Sequence, residues 1–299
     1  MTPDTLLAPC RFVHDATLMA LWGASVYLWT LVPPSLAERT ANRLNAVRLT
    51  AVVLTFLSMV ASLPLQAAII GDGWPDAVNG QTLWDVLTST NVGTAWLAQA
   101  AAGVLLVAAQ MIGLRMRLAA TAIASGLGLA GLALSGHAVM DGGWQGIVHP
   151  LNDALHVLSA GAWVGALLPL LLILSSSIGE TSSEGEAETA LRHFSNAGHV
   201  VVTLTILSGV ANSAFIVGWP LGWSSPYRIL LTAKIGVVLT MIAMATANRY
   251  WFMPRLGRGD MSALHAIRTG TAIEIVLGLV AIMLVSIFGM LDPYGGPVK

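Results

Sequence analysis

The stretch 149-HPLNDALHVLSAGAWVGALLPLLLIL-174 decides the fold. From Val157 to Leu174 it carries no charged residue. Such a run is long enough to cross a bilayer, which takes about 20 helical residues. Its head is different in kind: His149, Asp153 and His156 stand at i, i+4 and i+7. That spacing lays three polar groups along one helix face, about two turns long. Pro150 suits a first helical turn, so His149 falls either in this stripe or at the cap. Ionisable groups inside a membrane segment are disfavoured by a few kcal/mol or more, so they are read first as functional.

The rest of the chain agrees. Of 299 residues, 56% are hydrophobic and only 10% charged, where a soluble domain carries about 25% charge. Mean hydropathy is +0.75. We therefore expect an all-α polytopic membrane protein, with the lipid bilayer as its first partner. The net charge of −1 offers no basic surface for nucleic acid. Cys10 is the single cysteine, which excludes an intrachain disulfide and any paired-thiol metal motif. The leading "MTPDTLLAPCR" is scarcely basic and no A-x-A-like site follows it, so the first apolar segment is expected to be a retained helix.

Eight apolar stretches are predicted to span, at 12–32, 46–70, 92–114, 117–138, 150–175, 193–217, 227–250 and 266–290. Helices are the expected form because lipid leaves no partner for an open backbone group. The connections alternate. Arg39, Arg43 and Arg48 lie in or beside the first, Arg115 and Arg117 the third, Arg192 the fifth, and Arg249, Arg255, Arg258 and Arg268 the seventh. The even-numbered connections hold no Lys or Arg until Arg228. Basic loops stay cytoplasmic, which predicts both termini on the periplasmic side. The acidic "GETSSEGEAE" at 179–188 falls in an expected mobile cytoplasmic linker, 176–191. It separates a first part, 1–175, with five spans, from a second, 192–299, with three.

An internal repeat cuts across that division. "VVLTFLSMVA" at 52–61 and "VTLTILSGVA" at 202–211 share seven of ten positions. The matches include Thr55 with Thr205 and Ser58 with Ser208. His14 precedes Gly23 by nine residues, as His156 precedes Gly165. These matches predict a parallel 4+4 repeat, its first unit about 1–140 and its axis along the membrane normal.

The polar chemistry gathers at one depth. His14 and Asp15 are expected to begin the first span, and His137, within "LSGHAVMDGGW", to end the fourth. With His149, Asp153 and His156 they form a candidate metal site, His14, His137, His149, Asp153 and His156. Neutral imidazole suits copper, zinc, iron or nickel, and a carboxylate can ligate the ion or orient a histidine. Met140 and Met290 lie near the same face at the repeat offset, as soft ligands or as filler. Trp163 lies at i+7 from His156 and either walls the site or packs. Lys234 and Glu274 approach the midplane from opposite sides, which leaves structural pairing and proton coupling both open. His199 and Asn212 either line an inner path or join helices.

The order "SGHA", "HPLNDALHVLSAGAWVGALLPL", "RHFS", "LSGVANS", "PYRILLTAKIGVVL", "NRYWFMPRL" resembles the copper resistance D (CopD/PcoD-like) family of bacterial inner-membrane proteins. The resemblance covers about 117–290. The earlier spans match mainly in topology and in the His-Asp pair. It implies eight membrane helices, inner-membrane location, copper as the ion handled, uptake into the cytoplasm and a periplasmic copper-binding partner. It points to His137, His149, Asp153 and His156 as copper-site residues.

Copper-ion transport, with uptake through the outer His/Asp site, is therefore the expected function. The chain has no GxxxxGK[ST] phosphate loop, which argues against an ATP-driven exporter, and no nucleophile motif or paired carboxylates of an enzyme. Histidine and carboxylate suit Cu(II) and methionine suits Cu(I), so the oxidation state stays open. Two other readings stand beside transport. One is a membrane b-type cytochrome with histidines on haem iron. The other is a non-transporting module that docks a periplasmic copper protein, with "GDGWPDAVNGQTLWDVLTSTN" at 71–91 as dock or lid.

Overall fold

The computed structural model describes residues 2–139, 142–176, 181–218 and 225–294, and no strand occurs among them. The helices run α1 Pro3–Thr30, α2 Pro34–Arg43, α3 Asn45–Ile70, α4 Gly80–Ser89, α5 Asn91–Ala108, α6 Leu114–Leu132, α7 Gln145–Ser176, α8 Thr181–Val217, α9 Pro226–Ala247, α10 Met253–Leu256 and α11 Met261–Phe288. Short 3-10 turns lie at Trp74–Val78, Ala109–Met111 and Gly136–Val139, and a π-helical segment at Asn248–Phe252.

Six helical stretches are long and apolar enough to cross a membrane: Asn45–Ile70, Asn91–Met111, Gln145–Ser176, Gly185–Val217, Pro226–Leu256 and Met261–Phe288. The eight expected spans include two more, α1 and α6, which fall outside this set. Their polarity has a structural reason. α1 carries Asp4, Arg11, His14 and Asp15 but packs against α3, α6, α7 and α11, so protein surrounds much of it. α6 opens with Arg115 and Arg117 and is rich in glycine.

Two further expectations change. α1 starts at Pro3, not near residue 12, because Pro at the first turn and Asp4 behind it start a helix there. His14 and Asp15 therefore lie three turns inside α1, not at its head. The expected mobile linker 176–191 is helical from Thr181. Glu186 is tied to α2: it accepts from Ser35, and Arg39 Nη2 lies 2.7 Å from its Oε2.

Glycines set the central crossing. A Cβ on Gly165 would stand 2.0 Å from the Met19 carbonyl oxygen, and one on Gly23 2.3 Å from the Gly161 oxygen. α1 and α7 thus meet backbone to backbone, as small residues at helix interfaces permit. The largest buried cluster lies at the Arg-rich end, where Tyr27, Leu36, Leu118, Leu170, Ile173, Leu191 and Ile267 pack. Tyr27 also donates to the Ala190 carbonyl at 3.2 Å. Large apolar side chains exposed on α3 and α5, such as Phe56, Leu57, Val104 and Leu105, form the face suited to lipid.

Packing recurs between the halves. α1 packs on α3 and α6, and α5 on α6; α7 packs on α8 and α11, and α9 on α11. One relation does not recur: among the described residues, α8 and α9 lack the close packing that joins α3 to α5.

Candidate functional site

α7 begins at Gln145, so His149 lies inside the helix and does not cap it. Pro150 also falls within the helix, past its first turn. The predicted stripe of His149, Asp153 and His156 faces α8. The His149 ring stacks on Phe215, centroids 4.9 Å apart, and is 1% exposed. Asp153 Oδ1 accepts from Asn212 Nδ2 at 2.7 Å. Asn152 Nδ2 donates to the Ser208 carbonyl at 2.9 Å and to Asn212 Oδ1 at 2.6 Å. His156 Nδ1 lies 3.1 Å from both the Thr205 carbonyl oxygen and Ser208 Oγ. Asn212 therefore joins helices rather than lining an inner path.

These bonds decide the chemistry of each imidazole. A carbonyl only accepts, so His156 Nδ1 carries the proton and Nε2 keeps its lone pair. His137 donates from Nε2 to the Leu291 carbonyl at 3.2 Å, which leaves Nδ1 as its lone-pair nitrogen. Its ring stands edge-on to Tyr227, centroids 5.4 Å apart. His14 is different. Gln99 Nε2 donates to the Gly128 carbonyl at 2.7 Å, which turns Gln99 Oε1 toward His14 Nε2 at 3.1 Å. His14 Nδ1 meets the Ser58 hydroxyl at 3.1 Å. Both His14 nitrogens are engaged by the protein.

Electrostatics link the set more loosely than coordination would. Asp153 lies within electrostatic reach of Lys234, His149 and His137, and Asp15 within reach of Arg11, His14 and Asp153. Lys234 Nζ sits 5.9 Å from the Phe288 ring centroid. Among the described residues no three His, Cys, Asp or Glu side chains converge closely enough to hold a metal ion. His14 sits with α3 and α5, His156 and Asp153 with α8, and His137 against the chain after α11. Met290 follows α11 and is half-buried; Met140 lies outside the described residues.

Trp163 and Glu274 belong elsewhere. Both line a cavity of about 250 Å³ between α8 and α9, with His199, Asn248, Arg249 and Tyr250. Trp163 thus walls this cavity, not the histidine cluster. Glu274 Oε1 accepts from Asn248 Nδ2 at 3.0 Å, and Trp163 lies close to its carboxylate. Lys234 and Glu274 do not pair. His199 lines the cavity and bonds the Tyr250 hydroxyl at 3.1 Å.

The comparisons with known proteins follow this architecture. Residues 1–147 match the family described as copper resistance protein D-like, N-terminal domain, and residues 188–288 match copper resistance protein D. The chain is 32% identical over 287 residues to inner membrane protein YebZ of Escherichia coli, covering 95% of this chain and 97% of that one. It is 32% identical over 307 residues to copper resistance protein D of Pseudomonas syringae pathovar tomato, covering 97% of each. The chain belongs to the copper resistance protein D family.

A copper transport protein, CutJ of Bacillus subtilis, is 27% identical over 243 residues, 78% of this chain and 44% of that one. No solved structure matches the chain. Family membership makes this a copper-related membrane protein, with apolar helices suited to several crossings and an inner-membrane relative. The names of these relatives describe copper resistance, copper transport and the inner membrane, not catalysis. The family match also extends further toward the N-terminus than the motifs at 117–290 suggest, because His14 and its surroundings fall within 1–147. His149, Asp153 and His156 fall between the two matched regions.

The sequence reading overlooked Gln99, Phe215, Tyr227 and Asn152. Gln99 carries a signal: past the first residue, Asn91, it is the one amide in the apolar helix Asn91–Ala108. Ser58 and Ser208 were visible as a repeated pair, and each contacts the histidine of its own half.

Proposed function

We propose that this protein moves copper ions across the bacterial inner membrane, from periplasm to cytoplasm. In this reading α1, α3, α5, α6, α7, α8, α9 and α11 all cross the bilayer. The Arg-rich end is cytoplasmic, both termini are periplasmic, and the halves form a parallel repeat. The observation that carries it is His156, held by the Thr205 carbonyl so that Nε2 points its lone pair away from its own hydrogen bond. A second-partner bond of this kind orients metal-ligating imidazoles. His137 Nδ1, His149 and Asp153 supply the other donors at the periplasmic mouth when the ion draws together side chains that stand apart in its absence.

The ion enters from solution or from a periplasmic copper-binding protein. His14 joins the set when it releases Ser58. Met290 and Lys234 flank the route, while Trp163 and Glu274 border its cytoplasmic half. Inward movement of one positive charge gains about 2.3 kcal/mol per 100 mV of inside-negative potential.

The test is copper uptake into proteoliposomes, with an ultraviolet–visible spectrum of the same preparation. Wild type should accumulate copper, and His149→Ala/His156→Ala should lose copper binding while keeping its helical circular dichroism. Unchanged copper stoichiometry in the double variant overturns the site. A Soret band in the purified protein overturns the transport reading in favour of haem.

A further inference from the structure

The cavity between α8 and α9 interrupts an otherwise recurring packing pattern. In the first half, α3 closes against α5; in the second, the corresponding helices stand apart around about 250 Å³. At roughly 30 Å³ per molecule, that space takes on the order of eight waters. Its lining is mixed: Trp163, Val202 and Ile242 are apolar, while Asn248, Arg249 and Glu274 are polar.

The wall is also where a helix changes its winding. Asn248–Phe252 is π-helical between α9 and α10, and π segments inside helices occur often at functional sites. This segment starts with Asn248, the residue that reaches Glu274. It leans on Gly270, where a Cβ would stand 3.1 Å from the Asn248 amide. Thus a change of helical winding, a glycine and a cavity converge on one buried carboxyl group.

Glu274 is 3% exposed; its hydrogen-bond partner, Asn248, is a neutral donor, and the neighbouring Trp163 is neutral too. Among the described residues no ion pair or hydrogen bond joins Glu274 to a cation, Arg255, His265 and Arg268 of the adjoining α10 and α11 included. Arg249 bonds Ser195 and, at 3.2 Å, Asn196; His199 and Tyr250 bond each other. On α9, Lys234 faces Asp153 and His156. On α1, Arg11 donates to the Gly289 carbonyl, and Asp15 faces Arg11 and His14. Arg258, beyond α10, bonds Pro254. An ionised carboxylate in the apolar interior without a cation is strongly disfavoured. The smallest cation that can relieve it is a proton.

We propose that Glu274 is a proton-binding site that loads from, and discharges into, the cavity at the Arg-rich end. A hydronium ion in the cavity gives its proton to a Glu274 carboxylate oxygen, leaving water and a neutral carboxyl group; the reverse step restores the anion. Asn248 and Trp163 hold the anionic form, and the cavity admits water to it. The site stands whether or not copper moves through the protein.

The test is pH-difference infrared spectroscopy of the metal-free, full-length protein in neutral-lipid vesicles, over about pH 5 to 9. Wild type should show a carboxylic-acid carbonyl band that fades as pH rises. Glu274→Gln should lack that component, and Glu274→Asp should restore a shifted one. Subtracting the variant removes bands from Asp15 and Asp153. Asn248→Ala should move the midpoint of the Glu274 band. If Glu274→Gln does not fold, this shift decides alone. Blocking the cavity by modifying Ser195→Cys in a Cys10→Ser background should slow the band after a pH jump. A pH-dependent spectrum identical in wild type and Glu274→Gln, an unmoved midpoint in Asn248→Ala, or an unslowed band overturns the proposal. Because no metal is present, failed copper uptake leaves this result standing, and a missing band leaves copper uptake untouched.

Discussion

His14 and His156 look alike in sequence, each nine residues before a glycine, yet their bonding differs. His156 donates its Nδ1–H to a main-chain carbonyl and keeps Nε2 for another partner. His14 has Gln99 on one nitrogen and Ser58 on the other. A ligand must displace a bond at His14 but not at His156. We therefore expect His156→Ala to abolish high-affinity copper binding and His14→Ala to weaken it far less, as read by equilibrium dialysis of the purified variants. Equal losses would refute the distinction. Ser208→Ala should weaken binding by about tenfold or less, the low end for a residue that orients a ligand, because the Thr205 carbonyl still holds the ring. The histidines themselves are legible in the sequence. Their tautomers are not, since the Thr205 carbonyl is a main-chain group 49 residues away whose presence no side chain announces.

At the scale of helices, the α1–α7 crossing is the least forgiving contact. Gly161 and Gly165 stand four residues apart in the sequence, a small-xxx-small spacing that suits a close helix contact, and Gly23 is marked by its matched spacing from His14. Their meeting required the fold, because spacing on one helix does not say which neighbour it approaches. A Gly165→Ala methyl would be driven against the Met19 carbonyl oxygen, which is backbone and cannot swing aside. Overpacking of this kind destabilises by about 1–3 kcal/mol, and the backbone target puts Gly165→Ala at the upper end. Thermal unfolding in detergent should show a midpoint several degrees below wild type. Gly80→Ala, where an added Cβ meets nothing within 4 Å, serves as the control and should stay near wild type. The missed helix starts have the same kind of cause. An apolarity search begins α1 too late because its first turns are polar, although Pro3 and Asp4 mark the start. The linker 176–191 reads as mobile from its acidic composition, but its partners Ser35 and Arg39 lie on a helix 147 or more residues away.

For the whole molecule, the basic residues of distant segments meet at one end. Arg39 pairs with Glu186, Arg48 faces Arg117, and Arg249 bonds Ser195. The alternation of basic and non-basic connections along the chain is thus matched by a real clustering in space, and the positive-inside rule assigns that end to the cytoplasm. On the proposed orientation the histidines of α1 and α7 would lie toward the periplasm and the Glu274 cavity toward the cytoplasm. A pair of single cysteines checks it. In a Cys10→Ser background, Val78→Cys lies in the connection between α3 and α4, where Val78 is 84% exposed. It should react with a membrane-impermeant maleimide on intact spheroplasts. Arg258→Cys, in the exposed turn between α10 and α11, should react only after the membrane is opened. The Cys10→Ser change itself is mild, since the thiol makes one bond, to the Ser58 carbonyl at 3.2 Å, that a hydroxyl can replace. The reverse labelling pattern would turn the molecule over. The histidines would then face the cytoplasm, the Glu274 cavity would face the periplasm, and the proposed copper movement would become export against the membrane potential.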